Sequence, residues 1–277
     1  MTGGSALRTP MLFDLHLAAL VLYGLSAAVT LAPFAGLPAV SRRWSLAVAS
    51  LGAVLHGIGV AELTVMGISG LARPLSVLAW FLVILQIASE LVLRVGTVAL
   101  FTAPLAGGLV GLALMLGLAP GAQPSAGRNA WFILHVALSV LGLALLALAF
   151  ISAALYILQF RELKAKRFGH VFQLFPPLER LDRLNLVALV AGFPALTIGV
   201  LLAVGYAVRY AGGMHVDPAQ LVWGSFTWVV LGWTVWVRVA RHWAGRRAAF
   251  ASIAGFAAVV LVYLALKLAQ PGTQRFL

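Results

Sequence analysis

Ionisable side chains inside long apolar runs of the sequence are the first candidates for chemistry. Four of them are singled out, namely His56, Glu62, Glu90 and His135. An ionisable group inside an apolar span is costly unless it is paired or faces a cavity, so each of the four needs an explanation. Glu90 precedes Arg94 by one helical turn, and this spacing predicts an ion pair near a helix end rather than a functional site.

His56 is the candidate with the most unusual neighbours. Gly57 and Gly59 follow it in V-L-H-G-I-G-V and leave space beside the imidazole. A neutral imidazole is a suitable axial ligand for haem iron, and the space could receive a flat group. The alternative is close helix packing across the two glycines, with His56 hydrogen-bonded to a neighbouring helix. Glu62 could accept a hydrogen bond there, neutralise iron charge or relay a proton, or it could pair with Arg73 near the outer headgroups.

His135 lies nearer a membrane surface than His56 does. The rise of a helix puts it about 7 Å from the expected outer surface and His56 about 16 Å from it. A tilted haem b between two helices could accept both imidazoles, or the two could serve separate sites. Trp228 and Trp233 lie deep enough in a later span to line a porphyrin site, although ordinary bundle packing would also explain them. Asp217, in an outer loop, could help to close the mouth of such a pocket.

The elements that must position these residues are apolar helices. Of 277 residues, 62% are hydrophobic and 9% charged, and the mean hydropathy is +1.04. A water-soluble domain cannot carry this composition. Runs of about 20 apolar residues predict a single membrane domain over 1–277, an all-α, polytopic integral membrane protein with eight transmembrane helices. The expected spans are roughly 11–33, 44–67, 73–93, 95–118, 130–160, 184–208, 220–240 and 248–269.

The predicted topology accounts for the net charge of +12. An N-out, C-out orientation puts most of the 19 Lys and Arg residues in cytoplasmic segments, as the positive-inside rule requires. The basic excess then needs no nucleic-acid partner, and contact with anionic membrane lipid follows from it. The first apolar run lacks a small-residue cleavage site and is expected to be a retained helix. The chain has no cysteine, which excludes thiolate metal sites and a C-x-x-C-H haem attachment of its own.

The longest polar segment, 161–183, separates the fifth and sixth spans. Its two adjacent prolines end any preceding helix, and 178–184 is expected to be a short amphipathic lead into the sixth span. The basic residues of this segment could contact a partner protein at the inner face. Hydrolase, P-loop and dinucleotide-binding fingerprints are missing from the sequence, so no enzyme is predicted.

Several stretches occur together in the order found in one family. They are V-L-H-G-I-G-V (54–60), W-F-I-L-H-V-A-L-S (131–139) continuing to A-A-L-Y-I-L-Q (153–159), P-P-L-E-R-L-D-R-L (176–184), G-F-P-A-L-T-I-G (192–199) and W-A-G-R-R-A-A-F-A-S-I-A-G-F (243–256). In this combination the chain resembles the CcsA-like haem-handling membrane proteins of cytochrome c assembly, and most closely their YpjD/HemX branch, over a core of roughly 44–269. The resemblance implies an eight-span bundle that presents haem at the outer side, with His135 at the position of an axial ligand.

The chain departs from the full cytochrome c synthases at three positions that matter. Their outer motif W-x-W-D-P-K-E reads M-H-V-D-P-A-Q here, so that only Asp217 and Pro218 remain. The histidines expected in the seventh span and near the C-terminus are replaced by Trp236 and Gln274. These departures fit the YpjD/HemX branch, whose members look like haem-binding or regulatory relatives.

The leading hypothesis is a non-enzymatic, multi-pass protein of the bacterial cytoplasmic (inner) membrane. It would bind haem b non-covalently and assist cytochrome c assembly, haem handling or its regulation, with an apocytochrome c or another haem-assembly protein as partner. One alternative is a small-solute transporter that uses His56 and Glu62 as a proton relay, although the internal symmetry usual in such folds is not seen in the sequence. Another is a non-catalytic scaffold subunit of a membrane assembly complex, which needs no ligand.

Overall fold

The fold of the protein is all-α. A computed structural model describes residues 3–38, 40–66, 70–118, 130–166, 175–210 and 218–269, and these residues contain no strand. Two 3-10 turns, Ala32–Ala35 and Gly96–Val98, follow α1 and precede α4. The α-helices of the described residues are α1 (Gly3–Leu31), α2 (Arg42–Val65), α3 (Ala72–Leu93), α4 (Ala99–Leu116), α5 (Ala130–Lys164), α6 (Leu178–Tyr210), α7 (Pro218–Val239) and α8 (Gly245–Ala269).

Seven of the described helices are long and apolar enough to cross a membrane, namely α1 to α6 and α8. The prediction of a polytopic membrane protein is therefore confirmed. Helix α7 is also 22 residues long, but four tryptophans, two threonines and a serine lower its mean hydropathy. Tryptophan is amphipathic and common at membrane interfaces, so a low hydropathy index does not place α7 in water. The count of eight spans and the orientation stay predictions.

Residues 178–184 do not form a separate lead but are the first turns of α6. The carbonyl of Pro177 accepts hydrogen bonds from the amides of Arg180 and Leu181, which starts the helix directly after the proline pair. Leu181, Leu184 and Ala188 are buried and share one helical face. This apolar face runs without interruption into the membrane span, and that is why the helix does not break.

The helices belong to two compact units, of which the first contains α1 to α4 and the second α5 to α8. Small side chains dominate the core of the first unit, where Ala19, Ala53, Ala79 and Ala106 pack around the buried Tyr23. Small residues allow membrane helices to approach closely, which replaces the hydrophobic driving force that is missing between helices in lipid.

Helices α5 and α6 of the second unit approach each other at glycines. A Cβ added at Gly142 would lie 2.9 Å from Leu196 Cβ, and one at Gly199 would lie 2.6 Å from Ser139 Oγ. Neither position has room for a side chain. The close approach of these two helices positions the candidate site.

Candidate functional site

His135 on α5 is held by the backbone of α6. The side chain is partly buried, and its Nδ1 lies 2.7 Å from the carbonyl oxygen of Gly199. A carbonyl oxygen can only accept, so Nδ1 carries the proton and the Nε2 lone pair is available. Within the part of the chain that the structure describes, Nε2 has no hydrogen-bond partner. A backbone carbonyl that fixes the tautomer in this way is the usual support of a metal-ligating histidine.

Gly199 makes the contact with His135 possible. Its missing Cβ would lie 2.6 Å from Ser139 Oγ and 3.1 Å from the Ser139 amide nitrogen. A side chain at this position would require the Ser139 hydroxyl to rotate and the facing backbone of α5 to shift, which would change the distance between the carbonyl and the imidazole. The Oγ of Ser139 lies 3.4 Å from the same Nδ1, at the outer limit of a hydrogen bond.

An aromatic group that includes Phe132, the ring neighbour of His135, lies toward the beginning of α5. The Phe132 ring lies 6.4 Å from the His135 ring and 5.9 Å from the ring of Tyr206 on α6. The indole of Trp131 donates a hydrogen bond of 2.8 Å to the carbonyl of Leu202. These aromatics are not among the residues predicted from the sequence. Their signal is present there, because Trp131 and Phe132 precede His135 by about one helical turn.

The two predicted pocket tryptophans lie on α7 in the same unit as His135. The indole nitrogen of Trp228 donates to Thr197 Oγ1 at 3.0 Å, two residues before Gly199 along α6. Trp233 packs edge to face on Trp243, with ring centroids 6.3 Å apart, toward the other end of α7. Both indoles are about 40% exposed or more. Asp217 lies outside the described residues.

His56 lies in the first unit, where both of its ring nitrogens are hydrogen-bonded. Its Nδ1 is 3.0 Å from the hydroxyl of Tyr23, and its Nε2 is 2.9 Å from Ser76 Oγ. Ser76 Oγ is also 2.9 Å from Nε2 of His16, whose Nδ1 is 2.9 Å from the carbonyl of Leu12. His16, Tyr23, His56 and Ser76, which we call the histidine cluster, each have 0% exposure.

A single arrangement of protons satisfies the histidine cluster when both imidazoles are neutral. The carbonyl of Leu12 accepts from His16 Nδ1, so His16 Nε2 must accept the Ser76 proton. The serine oxygen then accepts from His56 Nε2, and His56 Nδ1 accepts from the Tyr23 hydroxyl. Each donor of the cluster has an acceptor, which is what a buried polar network needs in order to be stabilising.

The surroundings of His56 do not fit a haem in this structure. The space beside the two glycines is filled, because a Cβ at Gly57 would lie 3.0 Å from Trp80 Nε1 and one at Gly59 would lie 2.8 Å from His16 Cε1. Both ring nitrogens are also engaged. The arrangement supports the packing alternative for His56. His135, with its Nε2 available, fits an axial ligand.

The two candidate carboxylates have partners of their own. Glu62 is partly buried near the end of α2, and Glu90 is buried at 6% exposure near the end of α3. The Glu90 carboxyl packs on Gly96, where an added Cβ would lie 3.2 Å from Cδ. Arg94, the partner expected for Glu90, is exposed and ends α3 in a left-handed conformation with φ 55°. Among the described residues, no group of three or more potential ligands could hold a bare metal ion.

The match to known proteins agrees with the resemblance seen in the sequence. Residues 68–273 match the family model of the cytochrome C assembly protein, which is well over half of the chain. The chain therefore belongs to this family of multi-pass membrane proteins.

Curated relatives include proteins of both expected branches. The chain is 26% identical over 288 residues to the cytochrome c biogenesis protein CcsA of Synechococcus elongatus, with coverage of 87% of this chain and 88% of the relative. It is 25% identical over 194 residues to the protein HemX of Bacillus subtilis, with coverage of 68% and 69%. The match to CcsA of Guillardia theta is 26% identical over 164 residues and spans only about half of either chain, 54% of each.

Proposed function

We propose that this protein binds haem b non-covalently through His135 and assists cytochrome c biogenesis without catalysing a reaction itself. The observation that carries the proposal is the hydrogen bond from His135 Nδ1 to the Gly199 carbonyl, which leaves Nε2 available to iron. Membership of the cytochrome c assembly family supports the same chemistry. Bound haem would supply an iron centre that accepts an imidazole and would be the group handed on or sensed.

The remaining residues of the second unit would shape the haem site. Phe132 and Tyr206 would stack against the edge of the macrocycle, and Trp228 would close one side from α7. Asp217, just before α7, is proposed to help close the outer mouth. Trp233 lies farther along α7 and would contribute only to a site that extends toward that end.

The histidine cluster would have a structural role in this proposal. For His56 to bind iron, it would have to lose its bond to Ser76 or to Tyr23, and Trp80 or His16 would have to move. The proposal therefore depends on His135 alone as the protein ligand. Glu62 is kept as a candidate only for a second site in the first unit.

The proposed topology has eight spans, with α7 as the seventh, and both termini outside. His135 lies five residues after the first residue of α5, a rise of about 8 Å, and this depth would keep its haem close to the outer surface. We propose the bacterial cytoplasmic (inner) membrane as the location. Membrane lipid, haem and an apocytochrome c or another haem-assembly protein are the proposed partners.

A complementation experiment tests the proposed function. The gene is deleted in its host, and covalent haem in membrane c-type cytochromes is detected by peroxidase staining after denaturing electrophoresis. We expect the wild-type chain to restore the stained bands and His135→Ala to fail. Leu134→Ala is the matched control, because Leu134 is the neighbouring residue on α5, is 51% exposed and has an aliphatic side chain that cannot bind iron. Full restoration by His135→Ala at equal protein level would overturn the proposal.

A further inference from the structure

A polar cavity of about 560 Å³ lies where α7 ends and α8 begins. Two arginines and a histidine line it, Arg241, His242 and Arg247, together with Trp243 and two alanines. Arg241, His242 and Arg247 are exposed. None of these residues has a part in the proposed haem site, so a role for this cavity is independent of haem binding at His135.

The loop that forms the cavity is fixed by one ion pair. Arg238 and Asp182 meet at 2.7 Å with side-chain exposures of 5% and 25%. Arg238 also donates to the carbonyl of Trp243 at 2.7 Å, and the amide of Gly245 donates to the second oxygen of Asp182 at 2.9 Å. Both oxygens of the Asp182 carboxylate are thereby engaged in joining α6 to the loop between α7 and α8.

Among the described residues, no carboxylate pairs with the arginines of the cavity. Neither Arg241 nor Arg247 forms an ion pair within the described part of the chain. The guanidinium of Arg241 lies 6.0 Å from the centre of the Trp236 ring, within the range of a cation–π contact. Two uncompensated guanidinium groups around one cavity are suited to a phosphate, whose oxygens they bind with paired hydrogen bonds.

Exposed apolar side chains lie on α7 and α8 within about one helical turn of residues that line the cavity. Trp236, Val239 and Phe250 are 53%, 49% and 45% exposed on α7 and α8. The cavity lies where α7 ends and α8 begins, and if both helices cross the membrane as proposed, their adjoining ends would lie where lipid headgroups meet the hydrocarbon. A ligand that fills it while covering these side chains has an anionic head and apolar tails.

We propose that this cavity, which we call the arginine cavity (residues 240–244 and Arg247), binds the phosphodiester headgroup of an anionic phospholipid. Arg241 and Arg247 would hold the phosphate oxygens, and the acyl chains would lie along the exposed faces of α7 and α8. A free phosphate compound would satisfy the same two arginines but would leave the apolar faces uncovered. This difference allows the two sources of phosphate to be told apart.

The test measures lipid binding to the detergent-purified full chain by native mass spectrometry. Phosphatidylglycerol, phosphatidylcholine and glycerol 3-phosphate are titrated separately onto the wild type, Arg241→Gln/Arg247→Gln and Arg180→Gln/Arg183→Gln. The last variant is the matched control, since it removes two exposed charges from α6 outside the cavity. A basic residue near an anionic surface contributes about fivefold in affinity, so the cavity variant should bind phosphatidylglycerol roughly 25-fold more weakly than the wild type.

The expected result is tight phosphatidylglycerol binding by the wild type and the control, and weak binding by the cavity variant. If the double variant does not fold, the single variant Arg247→Gln should still show a loss of about fivefold. Equal loss in the control would mean diffuse surface attraction and would overturn the site. If glycerol 3-phosphate binds as tightly as phosphatidylglycerol, the ligand of the cavity is a free phosphate compound and the proposal of a lipid is overturned. If the wild type binds phosphatidylglycerol no more tightly than phosphatidylcholine, the proposal of an anionic lipid is also overturned. An acidic protein segment would then be the candidate ligand of the cavity.

Discussion

Removing one hydroxyl should uncouple the two histidines of the first unit. Ser76 Oγ is the atom that joins His16 and His56, since it donates to one imidazole and accepts from the other. In Ser76→Ala, the Nε2–H of His56 and the Nε2 of His16 lose this partner in a site with 0% exposure. Alanine fills nearly the same space, so the change in stability reports the hydrogen bonds rather than a cavity.

The expected cost follows from the number of bonds that are lost. A hydrogen bond between membrane helices contributes about 0.6 kcal/mol on average and up to about 1.7 kcal/mol. Two lost bonds therefore predict a decrease of about 1 to 3 kcal/mol in the free energy of unfolding. Ser152→Ala is the matched control. Ser152 is equally buried, but its hydroxyl donates only to the Ala149 carbonyl of its own helix, so its removal should cost less than about 0.5 kcal/mol.

These free energies are measured by unfolding the purified protein in mixed detergent micelles with increasing fractions of dodecyl sulfate. Circular dichroism monitors the loss of helix. Tyr23→Phe extends the test, because the Tyr23 hydroxyl donates to the other nitrogen of His56. If the cluster acts as one network, the double variant Tyr23→Phe/Ser76→Ala should lose less than the sum of the two single losses. A Ser76→Ala protein that is as stable as Ser152→Ala would refute the role assigned to the cluster.

Two further changes test the second unit. Gly199→Ala should force α6 away from α5 and weaken haem binding by at least about tenfold in a hemin titration, because the carbonyl that orients His135 moves. Gly142→Ala is equally crowded, 2.9 Å from a facing Cβ, but lies away from the imidazole and should lower stability with a smaller effect on haem affinity. Asp182→Asn should lower the free energy of unfolding by about 1 to 3 kcal/mol, since it leaves a buried guanidinium without its charge partner while the amide oxygen of Asn still accepts one hydrogen bond. Glu179→Gln, an exposed acid on the same helix, should change the free energy of unfolding by less than about 0.5 kcal/mol.

The helices could be predicted from the sequence because apolar runs of membrane length have few alternatives. All-helical structure and multiple spans follow from hydropathy alone. The continuous start of α6 could not be predicted in this way, because a polar stretch such as 178–184 hides buried positions at Leu181 and Leu184. In α7 the tryptophans lower the mean hydropathy, so the hydropathy index alone misses this helix. The run of apolar residues in the sequence still predicts it.

The candidate sites could be predicted only in part, because a sequence shows space but not its occupant. Gly57 and Gly59 indicate room beside His56, and that room is taken by Trp80 and His16. His16 is an ionisable residue inside the first span and is not among the predicted site residues, although that position is a signal; its pairing with Ser76, 60 residues away, has none. His135 is marked by its position, but its support by a main-chain carbonyl of α6 has no signature in residue types.

The visible spectrum of the purified protein with added hemin, before and after reduction by dithionite, tests the central claim most directly. His135→Gly should lose the bands of an imidazole-ligated haem, and added imidazole should restore them, since the small ligand can replace the missing ring. Ser139→Ala, which removes only a marginal contact to the same imidazole, should keep the bands of the wild type. Unchanged bands in His135→Gly, or no haem bound by the wild type, would contradict the assignment of His135 as the haem ligand.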